Sequence, residues 1–152
     1  VAYYLGSEAI IQQIRFVQNV YGIDTRGGRR MYHEVFNLLE DEVECFKWNK
    51  EEALWSIGME CCQVYFQQGF QAVFAVHWEP NKHWHFHFAV NTINFHTGRK
   101  WHTNMAEIHK RAELFNQIVD KYQRIERSRR IVPISFIGDE EDSMDEIDRL
   151  CE

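Results

Sequence analysis

The stretch AVHWEPNKHWHFHFAVN, residues 75–91, decides the fold, because it contains two apolar segments separated by a turn. In the second segment apolar and polar residues alternate, which is typical of a strand with one face against a core. The turn WEPNK, residues 78–82, contains Pro80 and Asn81 and has the length of a hairpin loop. The sequence therefore predicts an antiparallel hairpin with strands at residues 70–77 and 83–94.

Three amphipathic helices are predicted around this hairpin. They begin at the capping residues Ser7, Asn49 and Asn104, and the first two end at glycines. Further strands are predicted at residues 2–5, 30–38 and 132–136. Because each helix has a single apolar stripe, we expect an α+β fold in which an antiparallel central β-sheet has helices packed on one face, a two-layer sandwich.

Charge is distributed unevenly along the 152 residues. The net charge is −6, but residues 139–152 contain eight acidic residues and one basic residue, so residues 1–138 carry +1 by difference. An acidic chain argues against a nucleic-acid partner, whereas a near-neutral body with local basic clusters does not. We therefore interpret residues 1–138 as one domain and residues 139–152 as an acidic tail or linker.

Cysteine spacing and hydropathy bear on the compartment. The four cysteines lack CxxC spacing, and Cys61 and Cys62 are adjacent, which makes a poor disulfide framework. No segment approaches the roughly 20 apolar residues of a membrane span, and the chain has no signal-like start. These features predict a cytoplasmic protein in a reducing compartment, without a membrane segment.

Several histidines share one face of the predicted hairpin. Alternation along the second strand puts the following residues on one face: His83, His85, His87 and Asn91. The aromatic residues between them occupy the other face and are predicted to form the core. His77 ends the preceding strand, so the short turn brings it alongside. Three or four imidazoles are therefore expected to converge on the face away from the core.

Such a cluster favours metal binding. Imidazole is the commonest protein metal ligand, and neutral rings present their lone pairs to a cation. Three histidine ligands leave coordination positions open for water or substrate, as in catalytic metal sites. A solvated strand face is the alternative, which would be preferred for a single histidine but not for four on one hairpin. His96, His102 and His109 lie outside the alternation and are interpreted as solvated.

The segment AVHWEPNKHWHFHFAVNTINFHTGRKW, residues 75–101, resembles the third motif of the relaxase (mobilisation nuclease) family of conjugative plasmids and transposons, in the HUH endonuclease superfamily. The matching positions are His77, Glu79, His85, His87, Asn91 and the Thr97–Lys100 element. Weaker similarity extends upstream to GRRMYHEVFNL and downstream through HTNMAEIHKRAELFNQIV, so the resemblance covers about residues 29–122.

The resemblance implies a metal-dependent transesterase that nicks one DNA strand at an origin of transfer and stays attached to the 5′ phosphate through a tyrosine. His77, His85 and His87 are the expected ligands of a divalent cation, Mg²⁺ or Mn²⁺, although three nitrogen donors would also take Zn²⁺ or Ni²⁺ in a purified sample. Glu79 is expected to accept the free N–H of a ligand histidine, or else to be a solvated turn residue. His83 and Asn91 are expected to lie around the ligands.

The nucleophile is ambiguous in the sequence. Relaxase tyrosines precede the histidine motif, and Tyr4, then Tyr3, are the candidates in VAYYLG, residues 1–6. In an equally natural register both are strand aromatics and the nucleophile lies upstream of Val1. Tyr122 lies where replication initiators of the same superfamily keep their tyrosine, but it also completes the apolar stripe of the third helix.

Basic and aromatic residues near the motif suggest a path for single-stranded DNA. The expected phosphate contacts are Arg29, Arg30, Arg99 and Lys100. Trp101 and Trp78 are expected to stack on bases. The implied partners are single-stranded DNA at the origin of transfer and other relaxosome proteins.

Two other classes of function stay open. One is a non-catalytic DNA-binding remnant that keeps the fold and metal but has lost its tyrosine. The other is a three-histidine metallohydrolase that uses metal-activated water, with Glu79 as the general base.

Overall fold

The computed structural model describes residues 7–22, 28–46, 49–78 and 84–129. In chain order these residues form α1 (Ser7–Val20), β1 (Met31–Asn37), α2 (Glu40–Glu44), α3 (Lys50–Gln67), β2 (Ala72–His77), β3 (His85–Asn91) and α4 (Met105–Arg129). The three predicted helices and the strands predicted at residues 30–38, 70–77 and 83–94 are confirmed, and α2 is an addition. The strands predicted at residues 2–5 and 132–136, and the acidic tail, lie outside the described residues.

The strands form an antiparallel sheet in the order β1-β3-β2, with β3 in the centre. The predicted hairpin is thus β2 and β3, and its register puts His77 directly opposite His85. On its other side β3 pairs with β1, where Val35 lies opposite His87. Because side chains alternate between faces, this register decides which residues meet on each face of the sheet.

Helices α3 and α4 cover one face of the sheet, which we call the helix face. The central strand contributes Phe86, Phe88 and Val90 to it, all fully buried. The ring centroids of Tyr65 from α3 and Phe115 from α4 lie 5.7 and 5.2 Å from that of Phe88. The predicted aromatic core and the α+β class are therefore confirmed. The opposite side of the sheet, which carries His85 and His87, is the histidine face.

A partly buried ion pair crosses the helix face, with the Arg111 side chain 5% and the Glu34 side chain 21% exposed. Arg111 of α4 donates to both carboxylate oxygens of Glu34 on β1, at 2.6 and 3.1 Å, and to the Thr103 hydroxyl at 2.9 Å. The Tyr65 hydroxyl donates to Glu34 at 2.8 Å. Burial raises the pKa of Tyr65, and the nearby Glu34 carboxylate raises it further, so the phenol keeps its proton. These bonds link α3, β1 and α4, and the guanidinium lies 4.8 Å from the Trp101 ring centroid.

Helix α1 is tied to the end of the sheet at which β3 finishes. The Gln18 amide donates to Asn91 Oδ1 and to the Arg30 carbonyl, each at 3.1 Å. The Tyr21 hydroxyl donates to the Phe95 carbonyl at 3.0 Å. These bonds hold the C-terminal half of α1 on the sheet, on the histidine face at Asn91.

The turn after β3 is shaped to receive α1. Gly98 has a φ of +66°, which favours glycine, and a Cβ there would overlap the Tyr21 ring. The Asn94 side chain accepts from the backbone N–H groups of His96 and Thr97, both at 3.0 Å. The Thr97–Lys100 element of the motif therefore has a structural use, because it forms a tight turn against the end of α1.

Candidate metal centre

Three histidines converge on the histidine face because of the hairpin register. His77 ends β2 opposite His85, and His87 follows two residues later on the same face. The ring centroids lie 4.7 Å apart for His85 and His87, 4.8 Å for His77 and His87, and 5.8 Å for His77 and His85. One nitrogen of each ring lies within 4.8 Å of the other two. The structure thus brings together the three predicted ligands.

The three rings differ in exposure. His85 is 7% exposed, His87 is half-buried and His77 is exposed. The cluster therefore has one side held by the protein and another open to solvent, away from α3 and α4. A catalytic metal site needs both features, since ligands must be held in place while a substrate as large as DNA reaches the metal.

The donor set fits a divalent cation. Two nitrogens bound to one metal are at most about 4.2 Å apart, twice a metal–nitrogen bond of about 2.1 Å. The observed spread of up to 4.8 Å exceeds that value by about 0.6 Å, so the rings would have to move closer together by that amount to share one cation. Nitrogen donors alone favour Zn²⁺ and Ni²⁺ over Mg²⁺, which prefers oxygen. The geometry therefore supports a metal centre without selecting the metal.

A fourth histidine, His33 of β1, adjoins this cluster and was missed by the sequence analysis. Its Nε2 lies 2.7 Å from His87 Nδ1. The signal was present in the sequence, because alternation along β1 puts Tyr32 and Phe36 on the core side and His33 on the other. The pairing of β1 with β3 then places His33 opposite Ala89, diagonally adjacent to His87.

Asn91 does not support a ligand histidine. It lies four residues beyond His87, the nearest histidine of the cluster, which is about 13 Å along β3 at roughly 3.3 Å per residue. Its side chain is fully buried and bonded elsewhere: Oδ1 accepts from Gln18 at 3.1 Å and from the Ile93 N–H at 3.2 Å, and Nδ2 donates to Gln71 at 2.9 Å. The residue instead connects α1 to the sheet, which corrects its expected place beside the metal.

Trp101 is a core residue and is not available to stack on a base. It is 6% exposed, and its ring packs edge-on against Tyr32 at 5.0 Å and beneath the Arg111 guanidinium. The chain turns at an isolated bridge between Ile93 and Lys100, which directs the next side chain inward. Trp78, directly after His77, is 58% exposed, and base stacking there stays a prediction.

The four predicted phosphate contacts meet at one end of the sheet, which we call the basic end: Arg29, Arg30, Arg99 and Lys100. The Thr92 hydroxyl bonds to the carbonyls of Arg29 and Arg30, both at 3.0 Å. The Asn94 N–H donates to the Arg99 carbonyl at 2.9 Å. The basic end lies beside Asn91, so about 20 Å of β3 separates it from His85.

The remaining predicted residues are placed differently. Tyr3, Tyr4, Glu79 and His83 lie outside the described residues. Tyr122 packs against the aromatic core from α4, on the helix side of the sheet. It is therefore on the other side of the sheet from the three histidines, and the replication-initiator alternative, in which it would be the nucleophile, loses its support. Among the described helices, none has the length and apolarity that crossing a membrane requires.

The comparisons with known proteins bear on the family of the chain. The model of the relaxase family, described as the MobA/VirD2-like nuclease domain, matches residues 3–124. No curated protein and no solved structure matches the chain significantly. The match covers the whole sheet and all three of the clustered histidines.

Proposed function

Because the chain belongs to the relaxase family with the MobA/VirD2-like nuclease domain, we propose that it nicks single-stranded DNA at an origin of transfer by tyrosine transesterification. One observation carries the proposal beyond the family: a nitrogen from each of His77, His85 and His87 converges within 4.8 Å on the open face of that domain. The family uses a divalent metal, and this cluster is the proposed place for it. We take the metal to be Mg²⁺ or Mn²⁺ in the cell, with Zn²⁺ or Ni²⁺ able to replace it.

The reaction divides between the histidines and a tyrosine. A divalent cation at the site supplies charge neutralisation and orients the scissile phosphate for in-line attack. His77, His85 and His87 hold that position on the sheet. The hydroxyl of Tyr4, or of Tyr3, attacks the phosphorus, a tyrosine–phosphate bond forms, and the bond to the 3′ oxygen breaks. The phenolic proton ends on that oxygen, so the products are a 5′-phosphotyrosine and a free 3′ hydroxyl.

We propose that the DNA strand runs from the basic end to the histidines. The separation of about 20 Å corresponds to about six nucleotides at 3.4 Å per step, and to fewer in an extended strand. Arg29, Arg30, Arg99 and Lys100 neutralise phosphates at one end of this path. The exposed ring of Trp78 stacks on a base beside His77 at the other end.

The proposed domain division follows the same evidence. The family match ends at residue 124, before the acidic residues 139–152 begin. This supports a nuclease domain within residues 1–138 and a separate acidic tail. We place the reaction in the cytoplasm, where other proteins of a relaxosome would meet the DNA.

A covalent-adduct assay tests the proposal. A random-sequence pool of single-stranded DNA, labelled at the 3′ end, is incubated with the protein and Mn²⁺ and separated on a denaturing gel. We expect label to migrate with the protein, because the tyrosine retains the fragment that carries the 5′ phosphate and the labelled 3′ end. Free labelled fragments would instead indicate hydrolysis by metal-activated water. Absence of both products would indicate a binding module, and either result contradicts the proposal.

Variants tested in the same assay identify the nucleophilic tyrosine and show whether the histidine cluster is required. Tyr4→Phe and Tyr3→Phe separate the two candidate nucleophiles, and retention of the adduct in the double variant would exclude both. His85→Ala is expected to abolish the adduct, whereas His109→Ala, an exposed histidine of α4 outside the cluster, is expected to leave it unchanged.

A further inference from the structure

His33 and His87 are joined edge to edge. Their ring planes are only 11° apart and their centroids are 4.9 Å apart, while Nε2 of His33 and Nδ1 of His87 are separated by 2.7 Å. The separation of the centroids exceeds the separation of the nitrogens by about the distance from the His33 centroid to its Nε2 plus that from the His87 centroid to its Nδ1. The nitrogens therefore lie near the line between the centroids, which is the geometry of a hydrogen bond and not of face-to-face stacking.

We infer that His33 is a positioning residue that orients the His87 ring so that its Nε2 faces the metal. The inference rests on the proposed metal site. Because Nδ1 of His87 faces Nε2 of His33 at 2.7 Å, a cation bound by His87 would have to meet its other ring nitrogen, Nε2. A neutral imidazole bound through Nε2 keeps its proton on Nδ1 and donates it to His33 Nε2. His33 must then hold its own proton on Nδ1, which fixes the tautomers of both rings.

The strand pairing explains why His33 can do this without binding the metal itself. It lies on β1 opposite Ala89, and its exposed ring reaches diagonally across to His87. The group of nitrogens that lie within 4.8 Å of one another consists of His77, His85 and His87 and does not include His33. Metal-ligating histidines usually donate their second N–H to a carboxylate, a carbonyl or water, and here another histidine is placed to accept it.

Metal affinity tests this role without DNA or catalysis. Dissociation constants for Mn²⁺ and Co²⁺ are measured by calorimetry, together with the Co²⁺ absorption spectrum, for the wild type, His33→Ala and His33→Gln. We expect His33→Ala to weaken binding about 10- to 100-fold, as is typical when a partner of a ligand histidine is lost. We expect His33→Gln to retain affinity within about threefold and to keep the spectrum, because its amide oxygen accepts the same N–H.

Two controls separate orientation from other causes. Val35→Ala removes an exposed side chain opposite His87 on the same strand and face, and is expected to leave affinity unchanged. Metal-free thermal unfolding of His33→Ala shows whether the domain stays folded. Wild-type affinity in His33→Ala would overturn the inference, and so would a loss in His33→Gln as large as in His33→Ala, since that is the behaviour of a direct ligand.

A further variant distinguishes this inference from the proposed function. If His85→Ala binds metal as well as the wild type, the three-histidine site itself is wrong. If His85→Ala loses the metal while His33→Ala keeps it, only the role of His33 is wrong.

Discussion

The two faces of the sheet carry polar clusters of opposite kinds. On the helix face, Glu34, Arg111 and Tyr65 are complementary, since an anion accepts from a cation and a phenol at 2.6–3.1 Å. On the histidine face, the residues of the cluster are all of one type, and they meet because of register. Complementary groups satisfy one another and stabilise the fold, whereas clustered neutral imidazoles keep a lone pair each with which they can bind a cation. The comparison supports a structural role for the cluster on the helix face and agrees with the proposed metal site on the histidine face.

His33 and Glu34 are neighbours in sequence, yet each belongs to a different cluster. Alternation along β1 sends one side chain to each face, so a shift of one residue in the pairing with β3 would exchange them. Burial of Glu34 with Arg111, which is 4% exposed, therefore also secures the placement of His33 beside His87. The structural cluster on the helix face thus favours the same register that the other pairs of β1 and β3 hold and that the histidine face needs.

Loss of the cation on the helix face should have the largest effect on stability. Arg111→Met leaves the largely buried Glu34 carboxylate without its cation and with the Tyr65 hydroxyl as a remaining donor, and we expect a loss of about 3 kcal/mol in the free energy of unfolding. Urea unfolding measures it. Metal affinity of the folded protein should stay unchanged if the clusters have separate uses. A loss below about 1 kcal/mol, the range of an exposed ion pair, would contradict the structural role.

Asn91 is the exception on the histidine face, because its side chain serves the fold. Asn91→Ala removes the hydrogen-bond partner that Gln18 and Gln71 share. We expect the free energy of unfolding to fall by about 1–3 kcal/mol. The backbone amides of α1 should then exchange their hydrogens faster than in the wild type. Asn116→Ala, which changes an exposed asparagine of α4, is the control. Unchanged protection of α1 in Asn91→Ala would contradict its assignment as the anchor.

The pH dependence of stability should carry a signature of the helix face. The pKa of Tyr65 is raised by burial and by Glu34, so the phenol stays protonated in the folded state after the unfolded chain ionises near pH 10. Stability is therefore lost as pH rises above about 10, by up to about 1.4 kcal/mol per pH unit for one group. Tyr65→Phe removes this contribution.

Urea unfolding between about pH 9 and about pH 11.5 measures how the free energies of unfolding of the wild type and Tyr65→Phe differ. Below pH 9 Tyr65→Phe should be the less stable protein because it lacks the bond to Glu34, and the gap should narrow as pH rises. Burial also raises the pKa of the Cys62 thiol to about 12, so its contribution to stability falls over the same pH range. This contribution is the same in both proteins. Parallel curves for the two proteins would show that Tyr65 does not differ in ionisation between the folded and unfolded states.

The smallest effect is expected at the basic end. Arg99→Ala should weaken single-stranded DNA binding alike for every sequence and reduce the slope of log affinity against log salt by about one. Fluorescence anisotropy at several salt concentrations measures this, and Arg15→Ala, an exposed arginine of α1, is the comparison. An equal change in both variants would remove the basic end from the proposed DNA path.

The hairpin, the three long helices and the clustering of His77, His85 and His87 could be predicted because each depends on local patterns. Alternation and a five-residue turn determine the hairpin, and Asn104 with Glu107 caps α4 by reciprocal bonds of 3.0 and 3.2 Å. The similar pair at Asn49 does not act in the same way, because the Asn49 side chain donates to Glu126 of α4 instead. Its partner lies 77 residues away, beyond the reach of any local pattern.

The remaining differences also arise from contacts that are distant in sequence. Trp101 follows two basic residues and was expected at the surface, but the bridge at Lys100 turns it into the core. Asn91 shares a face with the ligands, yet its distance along β3 and its bonds with α1 separate it from them. His33 required both the face of β1 and its pairing with β3, of which alternation gives only the first.

The most direct test of the proposed metal site on the histidine face is anomalous diffraction from crystals grown with Mn²⁺. We predict one strong anomalous peak bonded to a nitrogen of each of His77, His85 and His87, with His87 bound through Nε2 and no peak within the Glu34 and Arg111 cluster. Ordered rings without a peak between them, or a peak bound by other residues, would contradict the account.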